Sequence, residues 1–95
     1  MSIVQPDESR CYLCGRNGCG DPLETHHIMF GPYRKQADKD GLTVKLCGAR
    51  CHRLGPDSAH QNHKTNIKLK QDAQRAFEKT HSHEEWLERY GRNYL

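Results

Sequence analysis

Two cysteine pairs constrain this chain more than anything else in it. Cys11-Tyr12-Leu13-Cys14 is a CxxC turn followed by Gly15, and Cys47-Gly48-Ala49-Arg50-Cys51 is a second pair with three residues between. Four soft ligands from two tight turns suit a tetrahedral zinc ion with no position left for a substrate, which makes the site structural. The segment between the pairs leaves room for a strand-loop-strand unit cross-linked at its base. The chain needs such a staple. Only 34% of its 95 residues are hydrophobic and 28% are charged, with a mean hydropathy of −1.03. A domain this small buries about 60–65% of its unfolded surface, and few of these side chains profit from burial. Structural zinc in small modules supplies on the order of 10 kcal/mol, about what the thin core lacks. Scattered buried cysteines are the alternative, but two tight pairs rarely arise in so polar a chain. Cys19 is left over. It could replace Cys11 or Cys14 only through a wider arc past Gly15, Asn17 and Gly18, so a free thiol is the preferred reading.

The count of five cysteines is odd and the start MSIVQPDESR lacks the basic-then-apolar order of a secretory signal. A secreted disulfide framework is therefore not expected, and a cytoplasmic location is. No apolar run approaches the roughly 18–20 residues that a bilayer demands.

Charge is uneven along the sequence. Residues 41–70 carry six Lys and Arg against Asp57 alone, while the flanking thirds are close to neutral. A basic middle third attracts polyanions, although a solvated loop and helix face has the same composition.

The chain reads as one α+β domain. Residues 1–10 have no periodicity and form a flexible lead, residues 11–63 hold short strands and turns organised around ligands, and residues 64–95 are helical. Leu42, Val44 and Leu46 alternate before Cys47 and predict a strand that delivers it. A second segment contains His26-His27 and should end at Gly31-Pro32. Ile67, Leu69, Ala73, Ala76 and Phe77 recur at helical spacing, with Thr65 or Asn66 as the expected cap. Ser82-His83-Glu84-Glu85 matches a capping box for a last helix, with Trp86, Leu87 and Tyr90 as its buried stripe and Gly91 as its terminator.

With four cysteines assigned, the histidines are free for a second centre. Neighbours on an extended strand project to opposite sides, so His26 and His27 are not expected to share one ion. The natural division is that His26 holds a cation and His27 acts as a general base. Cys51 fixes where the adjacent His52 can reach. A Cys3His site using His52 or His26 is the alternative. His63, His81 and His83 have no partner pattern and read as solvated side chains.

The order CxxC, a histidine pair followed by Ile28, a strand ending in Leu46-Cys47, then Cys51-His52, resembles the HNH endonucleases of the ββα-metal class with an added zinc knuckle. The resemblance runs from Cys11 to about His63 and is to short phage or prophage versions, with a fainter similarity to RecA-dependent recombination-enhancing nucleases. It implies that His27 is the general base and that His26 and His52 are metal ligands, with His52 at the start of a helix. It makes His60 a third ligand or a phosphate contact. It also implies phosphodiester hydrolysis leaving a 5′-phosphate and a 3′-hydroxyl. Magnesium, manganese, nickel or zinc would serve as the catalytic ion, beside the structural zinc. The implied partners are DNA and phage packaging or recombination proteins. A double-strand break would need a homodimer or a partner rather than a monomer. Two departures stand out: Gly41-Leu42 occupy the place of the middle asparagine, and the second cysteine pair has three intervening residues instead of two.

Two functions follow as expectations. One is a metal-dependent DNA endonuclease in which Arg34, Lys35, Arg50, Arg53 and Lys64 neutralise phosphates without choosing sequence. The other is a zinc-stabilised nucleic-acid-binding or phage adaptor without catalysis.

Overall fold

In the computed structural model, which describes residues 2–95, two strands and three helices are arranged around one small core. Strand β1 (Leu23–His27) pairs antiparallel with β2 (Thr43–Cys47), placing Leu23 opposite Cys47 and His26 opposite Val44. The alternation that predicted β2 is realised, since Leu42, Val44 and Leu46 are all fully buried. Between the strands lie a 3-10 turn (Gly31–Tyr33) and the short helix α1 (Arg34–Lys39). After β2 a wide π-helical turn covers Gly48–Arg53. The chain ends with α2 (His63–Phe77) and α3 (His83–Tyr90).

The core includes the metal-binding candidates themselves. Cys11, Cys47 and Cys51 pack in the same cluster as Ile28, Met29, Leu46, Leu69, Phe77 and Trp86. Leu69, Ala73 and Phe77 repeat every four residues on α2 and face inward together. Trp86 and Tyr90, one turn apart on α3, close over Phe77 with ring centroids 5.6 and 5.9 Å from it. The described residues contain no helix long and apolar enough to cross a membrane.

Four expectations are corrected. Residues 2–10 are not a loose lead: Ser2 and Gln5 are buried, the Ile3 amide donates to the Gly41 carbonyl at 3.0 Å, and the Lys45 amide donates to Gln5 Oε1 at 2.7 Å. These polar side chains satisfy backbone groups along β2, which composition alone reads as disorder. Helix α2 begins earlier than expected, because Asn62 accepts from the Thr65 amide at 3.1 Å and takes the cap in place of Thr65 or Asn66. On α3 the Ser82–Glu85 capping box and the left-handed Gly91 terminator form as expected. Leu87, however, is 38% exposed, since Trp86 and Tyr90 already occupy the inward face and Leu87 sits about 100° round the helix from it. Finally, His52 belongs to the π-helical turn and His60 to the loop after it, both ahead of α2.

Helix α3 also braces α1. Asp40, just past α1, accepts from Arg89 Nε at 2.8 Å and Nη2 at 3.1 Å, and from the Tyr90 hydroxyl. The Gln36 amide donates to the Arg89 carbonyl. The C-terminal tail folds back on α2, where Tyr94 exchanges hydrogen bonds with Gln74 (2.8 Å) and Gln71 (2.9 Å).

Candidate active site

The fold brings the two cysteine pairs together. The Sγ atoms of Cys11, Cys14, Cys47 and Cys51 all lie within 4.8 Å of one another, with Cys14 and Cys47 at 3.4 Å. Sulfurs about 2.3 Å from a tetrahedral zinc are about 3.8 Å apart, so the four thiols can hold a structural metal such as zinc with little adjustment. The amides of Cys14 and Cys47 each point at Cys11 Sγ at 3.5 Å. Partial burial raises the Cys14 pKa, but hydrogen bonds from the Arg16 amide and the neighbouring thiols outweigh it and bring the thiol down to about 6. Cys19 is exposed and outside the cluster. Tyr12 anchors the knuckle to α2 by donating to Asp72 at 2.7 Å.

A second cluster forms from His26, His52 and His60, whose ligand nitrogens also lie within 4.8 Å of one another. His26 comes from β1, His52 is peptide-bonded to Cys51 in the π-helical turn, and the amides of Ala59 and His60 fasten the following loop to the carbonyls of Cys51 and His52 at 2.8 and 3.1 Å. The Nε2 atoms of His52 and His60 face each other at 3.2 Å. His26 is 1% exposed and its Nδ1 is buried without a hydrogen-bond partner. An orphaned nitrogen beside two converging imidazoles is the donor set a divalent ion requires. Burial, reinforced by the neighbouring His52 and His60, pushes the His26 pKa down to about 3. Burial and His52 also lower His60. Both rings are therefore held in the neutral form that binds metal.

Glu24 orients this cluster. It stands two residues before His26, on the same strand face, and binds His52 Nδ1 at 2.9 Å through one oxygen and Arg53 at 3.0 Å through the other. This carboxylate–histidine pairing leaves His52 Nε2 as the ligand atom. Gly48 makes room for it, because a Cβ there would sit 3.0 Å from Glu24 Cδ.

His27 is outside the three-histidine cluster, as the alternation of a strand requires, yet as the last residue of β1 it lines the same cleft. That cleft, of about 270 Å³, is bounded by Thr25, His26, His27, Phe30, Arg34, His52 and His60. His27 Nδ1 lies 2.8 Å from Asp38 Oδ1. Asp38 holds the ring with its Nδ1 as donor and its Nε2 lone pair free. Nothing local in the sequence marks Asp38, which α1 carries into place; Glu24 is also not among the expected site residues, although its two-residue offset to His26 puts both on one strand face.

The basic candidates are scattered by comparison. Arg34 lines the cleft. Arg50 lines a neighbouring groove with Leu13, Cys14, Cys51 and Lys68, Arg53 is paired to Glu24, and Lys35 and Lys64 are exposed. Lys70, absent from the expected set, stands 5.2 Å from the Phe30 ring at the cleft. His81 is not simply solvated, since its ring stacks on Phe77 at 4.2 Å. Comparison with protein-family models, with curated proteins and with solved structures finds no match for this chain.

Proposed function

We propose that this chain is a metal-dependent DNA endonuclease of the ββα-metal, HNH-like kind. The observation that carries the reading is the shared cleft: three converging imidazoles, a carboxylate-held fourth and an arginine all open onto one space. His27 and His52 line the same cleft, which supports this reading.

A phosphodiester resists hydrolysis because attack by water builds negative charge on the phosphoryl oxygens and the leaving alkoxide. A divalent ion, when bound by His26, His52 and His60, supplies positive charge against both. Three such protein ligands would leave room beside them for phosphate and water. His27 Nε2 accepts the proton of the attacking water, and Asp38 stabilises the imidazolium that forms. Arg34 neutralises a phosphate at the cleft. The thiol cluster stays outside the chemistry and fixes the backbone from which His52 projects.

The test is incubation of the zinc-loaded protein with supercoiled plasmid and manganese. Nicking is expected, and His27→Ala should abolish it while keeping the native circular dichroism and one tightly held zinc. Undiminished nicking by that variant refutes the base assignment. A protein that holds one zinc, takes up no second ion and cuts nothing is an adaptor instead.

A further inference from the structure

Phe30 and Lys70 have no part in the mechanism above, and neither is explained by the fold. Ile28 and Met29, immediately before Phe30, are buried in the core, but Phe30 itself is 39% exposed and turned to the cleft. Its ring meets His26 edge-on at 5.9 Å and His60 at 6.1 Å, tilted by 34°. Lys70 is half-buried on α2, with its Nζ 5.2 Å from the Phe30 centroid and 5.6 Å from that of Tyr94. Among the described residues no carboxylate pairs with it. Burial and the nearby Arg92 charge lower its pKa. An aromatic ring and a metal-ligand cluster within one cleft, with an ammonium 5.2 Å from that ring, match the base, the scissile bond and the phosphate of a nucleotide.

We propose that Phe30 and Lys70 form a nucleotide subsite beside the histidine cluster, and that the preferred substrate is DNA with an unpaired nucleotide next to the scissile phosphate, such as a flap or gap. This rests on the endonuclease reading. In continuous duplex each base is covered on both faces by its neighbours, and exposing one face requires unstacking. An unpaired base offers its face freely, and stacking on a protein ring strengthens binding about tenfold or more per base. Lys70 then holds the adjoining phosphate, and one such contact adds about one to the salt dependence of binding.

The test uses the non-cutting His27→Ala protein, loaded with zinc and manganese, and two oligonucleotides of equal length. One is continuous duplex and the other carries a short flap with 2-aminopurine at the unpaired position beside the junction. Expected are about tenfold tighter binding of the flap and quenching of the 2-aminopurine fluorescence. Adding Phe30→Ala should remove the quenching and most of the preference, and Phe30→Trp should retain both. Lys70→Gln should weaken flap binding and reduce its salt slope by about one. Equal affinity for both DNAs, or quenching that survives Phe30→Ala, overturns the subsite. The native chain with manganese separates the two ideas: cutting without flap preference defeats the subsite alone. Absence of cutting on every substrate defeats the nuclease, while Phe30-dependent quenching still supports the subsite.

Discussion

Replacing Asp38 by asparagine isolates one contribution to the proposed chemistry. The variant keeps the shape of the side chain and an oxygen that accepts from His27 Nδ1, so the ring stays oriented and only the negative charge is lost. At the roughly 4 Å between the charge centres of such a pair, Coulomb's law gives about 4 kcal/mol at an effective dielectric of 20 and about 1 kcal/mol in bulk water. The side chains are 31% and 40% exposed, so water screens the pair and the lower part of that range applies, about 2 kcal/mol. The imidazolium forms only as the proton leaves water, so the loss falls on the transition state and equals about a 30-fold slower reaction. Asp38→Ala also frees the ring to rotate and should cost several-fold more. Single-turnover nicking of plasmid under saturating manganese measures both, with thermal melting as the control for folding. Asp38→Asn within threefold of the native rate refutes the role assigned to this carboxylate. So does a loss that only tracks a lower melting temperature.

Other outcomes follow from the same geometry. Cys47→Ser should lose zinc and fold poorly, because structural zinc supplies on the order of 10 kcal/mol and a domain of this kind has only about 5–15 kcal/mol in total; native circular dichroism without zinc would contradict the staple. Glu24→Gln should weaken the second ion 10- to 100-fold by calorimetry with manganese, leaving the zinc content unchanged. Gly55→Ala should disrupt the turn that carries Cys51 and His52, since its Cβ would lie 2.1 Å from the Arg50 carbonyl oxygen; an unchanged melting temperature and zinc content would show that the turn yields. Partial burial opposes ionisation of Asp72, but hydrogen bonds from Lys68 and Tyr12 outweigh it and lower its pKa. Its contribution to stability is thus present above its ordinary value of 3.8 and lost as the pH falls through its folded value; Asp72→Asn should flatten the acid limb of the melting-temperature profile.

What the sequence made legible was local. Two cysteines three or four residues apart, or a serine three before a glutamate, carry their own geometry, and both survive intact in the fold. The strand alternation of Leu42, Val44 and Leu46 was equally plain. Competition between near-equivalent choices was not. Asn62, Thr65 and Asn66 can all cap a helix, and Asn62 prevails because its own amide is already held by the Ser58 carbonyl at 2.9 Å. Leu87 fits an apolar stripe on paper, but an eight-residue helix has room for only two inward positions. Asp38 reaches His27 across eleven residues, and only the folded connection between the strands could reveal the pairing. Phe30 and Lys70 are farther apart still and meet through the packing of α2.

The proposed nuclease would endanger the cell that makes it, and the single peptide bond between Cys51 and His52 bears on that danger. The thiol cluster and the histidine cluster share this one turn, so in the proposed enzyme the cutting centre would assemble only once a metal closes the knuckle. Metal supply would then gate its maturation, and in zinc starvation the proposed enzyme would fail silently, as an unfolded polypeptide.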